Sequence, residues 1–533
     1  MRLALLFVAA ACSVSDPVTE RPAPLGPLPP PAPVDTERFR DAEACAQCHL
    51  VADDTPVLHD ETGANVSPVL LWRSSLMANA ARDPYYLAVF ADELARDPAG
   101  AEDTEKLCTR CHGPAGAEEL GSSSHLTFAD LTTGTSDAAL LARGGVTCTL
   151  CHQISESSIE GDSGFTGGFS TDYQREIFGP YTNPMASPMM LIVNYTPTYG
   201  AHIMSASLCA SCHTVIVPTS TGEVVEQATY LEWRASEFAA DRPCQSCHVP
   251  SVDEEGRAIS TPIASFPAGL APRQPVGRHM FVGGNSYVLT LLADAIEWSG
   301  AGIAASEFLA SAARDDAHLT TAARVTVPDA HREGGTVVAT VRVENLTGHK
   351  LPTGYPTRRV WLHVTARSGG QVVFESGAVD ALGAIVDGAG KPLAAQPHRD
   401  VVSAPGEAQI WEATLVDAAG QPTHRTLNAR RYGKDDRILP KGYAPTGNDA
   451  VRTAIVGVGA DASFVPGADD VTYRFDAPAG TTIEIELLYE ALAPHIVDAI
   501  EASATPAGSK FVDLARARPV TPVQMATTTV PAL

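Results

Sequence analysis

Long apolar runs are missing from this 533-residue chain. No stretch of eighteen residues is apolar and free of charge, so no segment is suited to cross a bilayer as a helix. Positive charge is also short. Against 62 Asp and Glu stand only 37 Lys and Arg, a formal charge of −25, and such a surface is a poor partner for nucleic acid. It suits a basic partner, or simply solubility. Spare cysteine is the third shortage: ten of the eleven cysteines fall in one repeated motif.

What is present is that motif, Cys-x-x-Cys-His, five times over. It comprises Cys45, Cys48 and His49; Cys108, Cys111 and His112; Cys148, Cys151 and His152; Cys209, Cys212 and His213; and Cys244, Cys247 and His248. Structural zinc explains CxxC pairs but gives no reason for a His directly after each one. A disulfide framework needs no His at all. Covalent c-type haem attachment needs all three residues: two thiols add to the vinyl groups, and the adjoining His reaches the iron as proximal ligand. The motifs therefore predict five covalent c-type haems, with the ten thiols consumed by thioethers.

Cys12 follows a short apolar run that begins after Arg2, the pattern of a secretory leader ending in a candidate lipid-attachment cysteine (residues 1–12). Export agrees with haem attachment, which takes place outside the cytoplasm, and predicts a periplasmic protein or an outer-membrane-anchored lipoprotein. Residues 13–38 are rich in proline and read as a semi-rigid linker, extending about 3 Å per residue.

Residues 39–322 carry the five motifs with little strand patterning. Helices are expected at Pro84–Arg96, Asp137–Arg143, 230–240, 287–298 and 304–313, from apolar spacing of three and four. From about residue 324 the pattern changes to alternating apolar and polar residues rich in Val, Ile and Thr, as in TVVATVRVEN, RRVWLHVTAR, QVVFESG, AQIWEATLVD and TTIEIELLYEAL. The fold class expected is multidomain: a mostly α or irregular multihaem domain, then an all-β antiparallel sandwich over 324–500. Residues 503–533 show no periodicity and read as a flexible tail.

The second axial position of each iron decides function. Five proximal histidines leave eleven others. His202 precedes the fourth motif by seven residues and is a candidate distal ligand to a neighbouring haem. His279 lies in a glycine-flanked segment that permits close backbone approach. His349 sits in a Gly- and Pro-rich turn able to project it from the sandwich onto a haem. His59 and His125 are weaker candidates, and His318, His331, His363, His398, His424 and His495 are expected at the surface or in the sandwich. Met77, Met189 and Met190 are candidate sulfur ligands.

The five motifs, Trp72-x-x-Ser75-x-Met77, the GPYTNP segment, YGAHI before the fourth motif, and GHKLPTGYP together resemble the cytochrome c-552/4 domain family, related to cytochrome c-554 and hydroxylamine-oxidoreductase-like proteins. In that family W-x-x-S-x-His presents a distal His, so the resemblance implies a ligand at Met77, with a Met in place of the His. Related enzymes often mark an open haem with Lys instead of the motif His. All five motifs here keep His. The chain thus reads as an electron carrier between exported or membrane-associated redox partner proteins, non-catalytic in itself. The alternatives are an oxidoreductase acting on a small nitrogen or sulfur species at one open haem, and a structural subunit of an extracellular or outer-membrane cytochrome assembly.

Overall fold

The computed structural model describes residues 21–219, 222–393 and 395–533. The leader and Cys12 lie outside the described residues.

Each Cys-x-x-Cys-His motif lies on or beside a short helical turn: Glu43–His49, Ala101–His112, Cys148–Cys151, Ala206–His213 and Gln245–His248. A helical turn places two cysteines three apart on one face. Pro84–Arg96 and Asp137–Arg143 are helical with the expected bounds. Their starts are dictated locally. Asp83 accepts from the Tyr85 and Tyr86 amides ahead of Pro84, and Ser136 caps through the Ala139 amide. The 230–240 segment is helical over Thr229–Arg234 and then breaks at Ser236, whose hydroxyl caps a 3₁₀ turn, Glu237–Ala240. The 287–298 segment divides into Ser286–Asp294 and Ile296–Ser299, and the next helix runs on to Leu319.

The C-terminal half holds two sheets. In chain order the strands are β1 Ala323–Glu333, β2 Thr336–Asn345, β3 Arg359–Ser368, β4 Gln371–Ser376, β5 Val401–Val402, β6 Ile410–Val416, β7 Pro422–Thr423, β8 Arg431–Asp435, β9 Ala468–Asp476, β10 Thr482–Glu490 and β11 Val523–Val530. The larger sheet runs β7-β6-β3-β10-β11, with β8 on β6 and β4 on β3; the smaller runs β1-β2-β9-β5. Pairing is antiparallel except for the two-residue β5–β9 contact. Alternate residues face inward as the pleat requires. Val337, Ala339, Val341 and Val343 of β2 share one core with Val360, Leu362 and Val364 of β3 and Ile483, Ile485 and Leu487 of β10.

Two expectations are corrected here. The segment over 503–533 is not a free tail. Helix Pro506–Ala517 buries Phe511 and Val512 with Ala88, Leu289 and Ile496, and β11 pairs with β10 from Ile483↔Val530 to Tyr489↔Val523. Likewise the described part of the proline-rich segment does not stand off as a stalk. The Leu28 amide donates to Trp298 O and the Leu25 amide to Pro506 O, both at 2.8 Å, and Trp298 Nε1 donates to Leu25 O. A polyproline strand leaves its backbone groups unbonded and repeats every three residues. Leu25 and Leu28 therefore share one face, and that face is buried beside Leu87, Trp298 and Ala507.

The two halves are joined through buried charge. Glu232, on helix Thr229–Arg234, accepts from the Lys350 amide and the Thr353 hydroxyl and pairs with Arg437; Lys350 Nζ and Arg437 both bind Asp435. All four charged side chains are at most 5 % exposed.

Candidate functional site

One continuous cavity of about 1250 Å³ runs through the N-terminal half, and all ten motif cysteines and all five motif histidines line it. None of the ten thiols is in a disulfide. Thiols of different motifs approach one another: Cys45 with Cys148, Cys111 with Cys212, and Cys209 with Cys244. The first motif thus neighbours the third, and the fourth neighbours both the second and the fifth. Cys151 lies within electrostatic range of Cys212, which brings the third beside the fourth.

The histidines are held in one tautomer. His49 Nδ1–H donates to Ile263 O (2.8 Å), His112 to Ala80 O (3.1 Å), His152 to Phe178 O (2.6 Å) and His248 to Val282 O (2.6 Å). A carbonyl only accepts, so the proton is on Nδ1 and the Nε2 lone pair is left for a metal. His279 and His349 are held the same way, through Gly277 O (2.9 Å) and Lys350 O (3.0 Å). Burial lowers the basicity of all these rings, pushing His112, His279 and His349 down to about 4, so they stay neutral at neutral pH. For His213 burial has the same effect, and the Gln227 side chain is its hydrogen-bond partner.

Two imidazole pairs face each other. The ring centres of His152 and His279 are 6.3 Å apart with planes 24° from parallel; those of His248 and His349 are 6.5 Å apart at 22°. A metal–imidazole bond of about 2 Å on each side, with each ring centre about 1 Å behind its nitrogen, puts trans imidazoles roughly 6 Å apart. Both spacings fit one iron between two rings. Arg242, Arg273 and Arg358 also line the cavity, cations suited to a cofactor's carboxylates. Donor set, spacing and cavity fit haem.

His349 reaches the cavity because its turn is braced on both sides. Asn345 Nδ2 donates to His349 O and to Ile438 O, and the next residue, Lys350, is locked to Glu232 and Asp435. A Cβ at Gly348 would sit 3.1 Å from Trp233 and Phe238 side-chain atoms, so glycine allows the turn to lie against that wall. Met77 also lines the cavity. Its carbonyl accepts from the Val146 amide, while Trp72 Nε1 donates to Val146 O, strapping W-x-x-S-x-Met to the approach of the third motif. Gly145 at φ +62° makes this possible: a Cβ there would meet Met77 O at 2.4 Å.

His202 departs from expectation. It is 5 % exposed, its Nε2 hydrogen-bonds Ile154 O, and its ring packs edge-on to Phe178, behind the third motif rather than on the cavity wall. His318, expected at the surface, lines the cavity with its ring centre 5.6 Å from that of His248 at 61°. It projects from the last turn of a helix whose apolar spacing continues past 313, a signal present in the sequence. Met185, Met189, Met204 and Met280 line the cavity too, but Met190 does not.

Short helices carrying the five motifs thus wall a haem-compatible cavity that the β-sandwich closes. Among solved structures the chain is similar to a penta-haem cytochrome c552 from Thermochromatium tepidum, with a TM-score of 0.54, 17% identity, and 94% of this chain and 100% of that one covered. No family model matches the chain, and no curated protein matches it.

Proposed function

We propose that the chain is a pentahaem electron-transfer cytochrome, with one haem on each motif. The observation that carries this reading is the single cavity lined by all ten thiols, in which two histidine pairs stand at trans-ligand spacing. In this reading His152 with His279 and His248 with His349 would each hold one haem iron, and Met77 would supply sulfur to another. Bound haem iron supplies reversible one-electron chemistry whose potential follows axial ligand, burial and hydrogen bonding. The protein's part is to fix the imidazoles through backbone carbonyls, exclude water and set the order of sites. The thiol contacts order them first, third, fourth and fifth, with the second as a spur beside the fourth. Haem attachment implies an exported protein. The excess of acidic residues favours a basic redox partner, and Cys12 is the candidate membrane tether.

The test is expression in a host that attaches haem, followed by haem counting and electron paramagnetic resonance of the oxidised protein. Five haems per chain, all low-spin and unreactive to cyanide, are expected. Fewer than five would overturn the count. A high-spin iron that binds cyanide, nitrite or hydroxylamine would make an oxidoreductase the leading reading.

A further inference from the structure

A second cluster of ligating side chains lies in the sandwich, and none of its residues lines the large cavity. His398 belongs to the segment before β5, Asp461 to the loop before β9, and Asp469 to β9 itself; their donor atoms lie within 4.8 Å of one another. Nε2 of His398 stands 3.0 Å from Asp461 Oδ2 and 3.9 Å from Asp469 Oδ2, while Nδ1 stands 3.1 Å from Asp436 Oδ2. None of these four side chains is more than 6 % exposed.

Each candidate ligand is held from behind. A carboxylate only accepts, so the His398 proton is on Nδ1, toward Asp436, and the Nε2 lone pair faces the other two aspartates. Gln409 Nε2 donates to the same Asp436 oxygen at 3.2 Å, its orientation fixed by the Arg399 amide on Oε1 at 2.7 Å. Asp461 Oδ1 accepts from the Ser463 amide and hydroxyl, both at 2.7 Å, which leaves Oδ2 for His398. Trp411 Nε1 donates to Asp469 Oδ2 at 2.8 Å. Lone pairs of one nitrogen and two oxygens therefore converge. Charge is short as well. Among the described residues the three carboxylates pair with one Lys or Arg only, Lys434, 3.3 Å from Asp436 and shared with Glu412 at 3.4 Å. Buried carboxylates are strongly disfavoured without a compensating cation. Bonds of about 2.1 Å to one ion put cis donors about 3 Å apart and trans donors about 4 Å apart, a range that brackets both Nε2–carboxylate distances.

We propose that His398, Asp461 and Asp469 bind a divalent transition metal of the zinc class, with Asp436 as the carboxylate that orients the imidazole. An imidazole in the donor set favours zinc over calcium, which takes oxygen ligands alone. The ion ties the segment before β5 and the loop before β9 to β9, where β5 itself is held by only two residue pairs.

The experiment treats the haem-loaded protein with chelator, adds zinc chloride, removes the excess and counts zinc per chain, for wild type, His398→Gln and Asp436→Asn. One retained zinc is expected in wild type and none in His398→Gln. Asp436→Asn should weaken binding about 10–100-fold, as loss of an outer carboxylate does. The thermal midpoint of wild type should rise with zinc concentration and not with calcium. X-ray absorption at the zinc edge of wild type, which needs no variant to fold, should show only nitrogen and oxygen ligands with outer-shell imidazole scattering. No retained zinc overturns the proposal and leaves a protonated His398 bridging the carboxylates. Zinc held equally by a folded His398→Gln protein overturns it too, as do sulfur ligands, which would place the ion on motif thiols.

Discussion

Replacing His349 by alanine probes the least local part of the proposed site, a histidine that the sandwich brings to within 6.5 Å of the motif histidine His248. The measured spacing of 6.5 Å between the His248 and His349 rings is within a few tenths of an ångström of that for trans ligands on one iron. Removing the imidazole takes away one axial ligand and leaves a buried, imidazole-shaped void. One haem of the five, a fifth of the total, should therefore convert from low to high spin in the oxidised protein. The remaining four signals should be unchanged, since His152 and His279 form a separate pair. Added imidazole should fill the void and restore the low-spin signal. The assay is electron paramagnetic resonance with the visible spectrum, on protein shown to retain five haems. Wild-type planes 22° apart also predict a rhombic signal for this haem, rather than the strongly anisotropic one of perpendicular rings. If His349→Ala keeps five low-spin haems, the reasoning is refuted, and His318, 5.6 Å from His248, becomes the ligand to test.

Phe511→Ala should lower the thermal midpoint of the holoprotein by the equivalent of about 3–5 kcal/mol, because Phe511 is fully buried against helices of the haem-binding half; a midpoint near wild type would mean the C-terminal helix is not part of the core. Lys350→Met removes one cation from a buried network and should cost about 3 kcal/mol, the low end for a broken buried pair because Arg437 stays on Asp435. Calorimetry reads this, and loss of the His349 low-spin signal in the same variant would show that the network also positions the ligand. Protein made without haem attachment and then air-oxidised should form disulfides between motifs, Cys45 with Cys148, Cys111 with Cys212 and Cys209 with Cys244. Peptide mapping that finds pairing only within motifs would count against the order of sites drawn from these contacts.

Much of the chain is legible locally. Asp83 and Ser136 announce helix starts, and alternation in residues 336–345 and 482–490 announces strands, because caps and pleats depend on neighbours in sequence. Strands over 323–333 and 468–476 are also alternating but more polar, and the 523–530 strand is threonine-rich; they are strands because partners supply the pairing. His279 and His349 each lie near a motif histidine, and both sit in the glycine-rich surroundings that permit close approach. His202 and His318 were misplaced because facing a cavity or its rear wall depends on helix rotation and packing, which one sequence does not display.

By itself the sequence determined which side chains can hold haem, since thiol, thiol and imidazole must be adjacent along one turn for attachment to occur. Which motif stands beside which, and which histidines come together in the cavity, were decided only in three dimensions. Most of those contacts join residues more than a hundred positions apart, and the packing of the whole chain, not any local preference, fixes them.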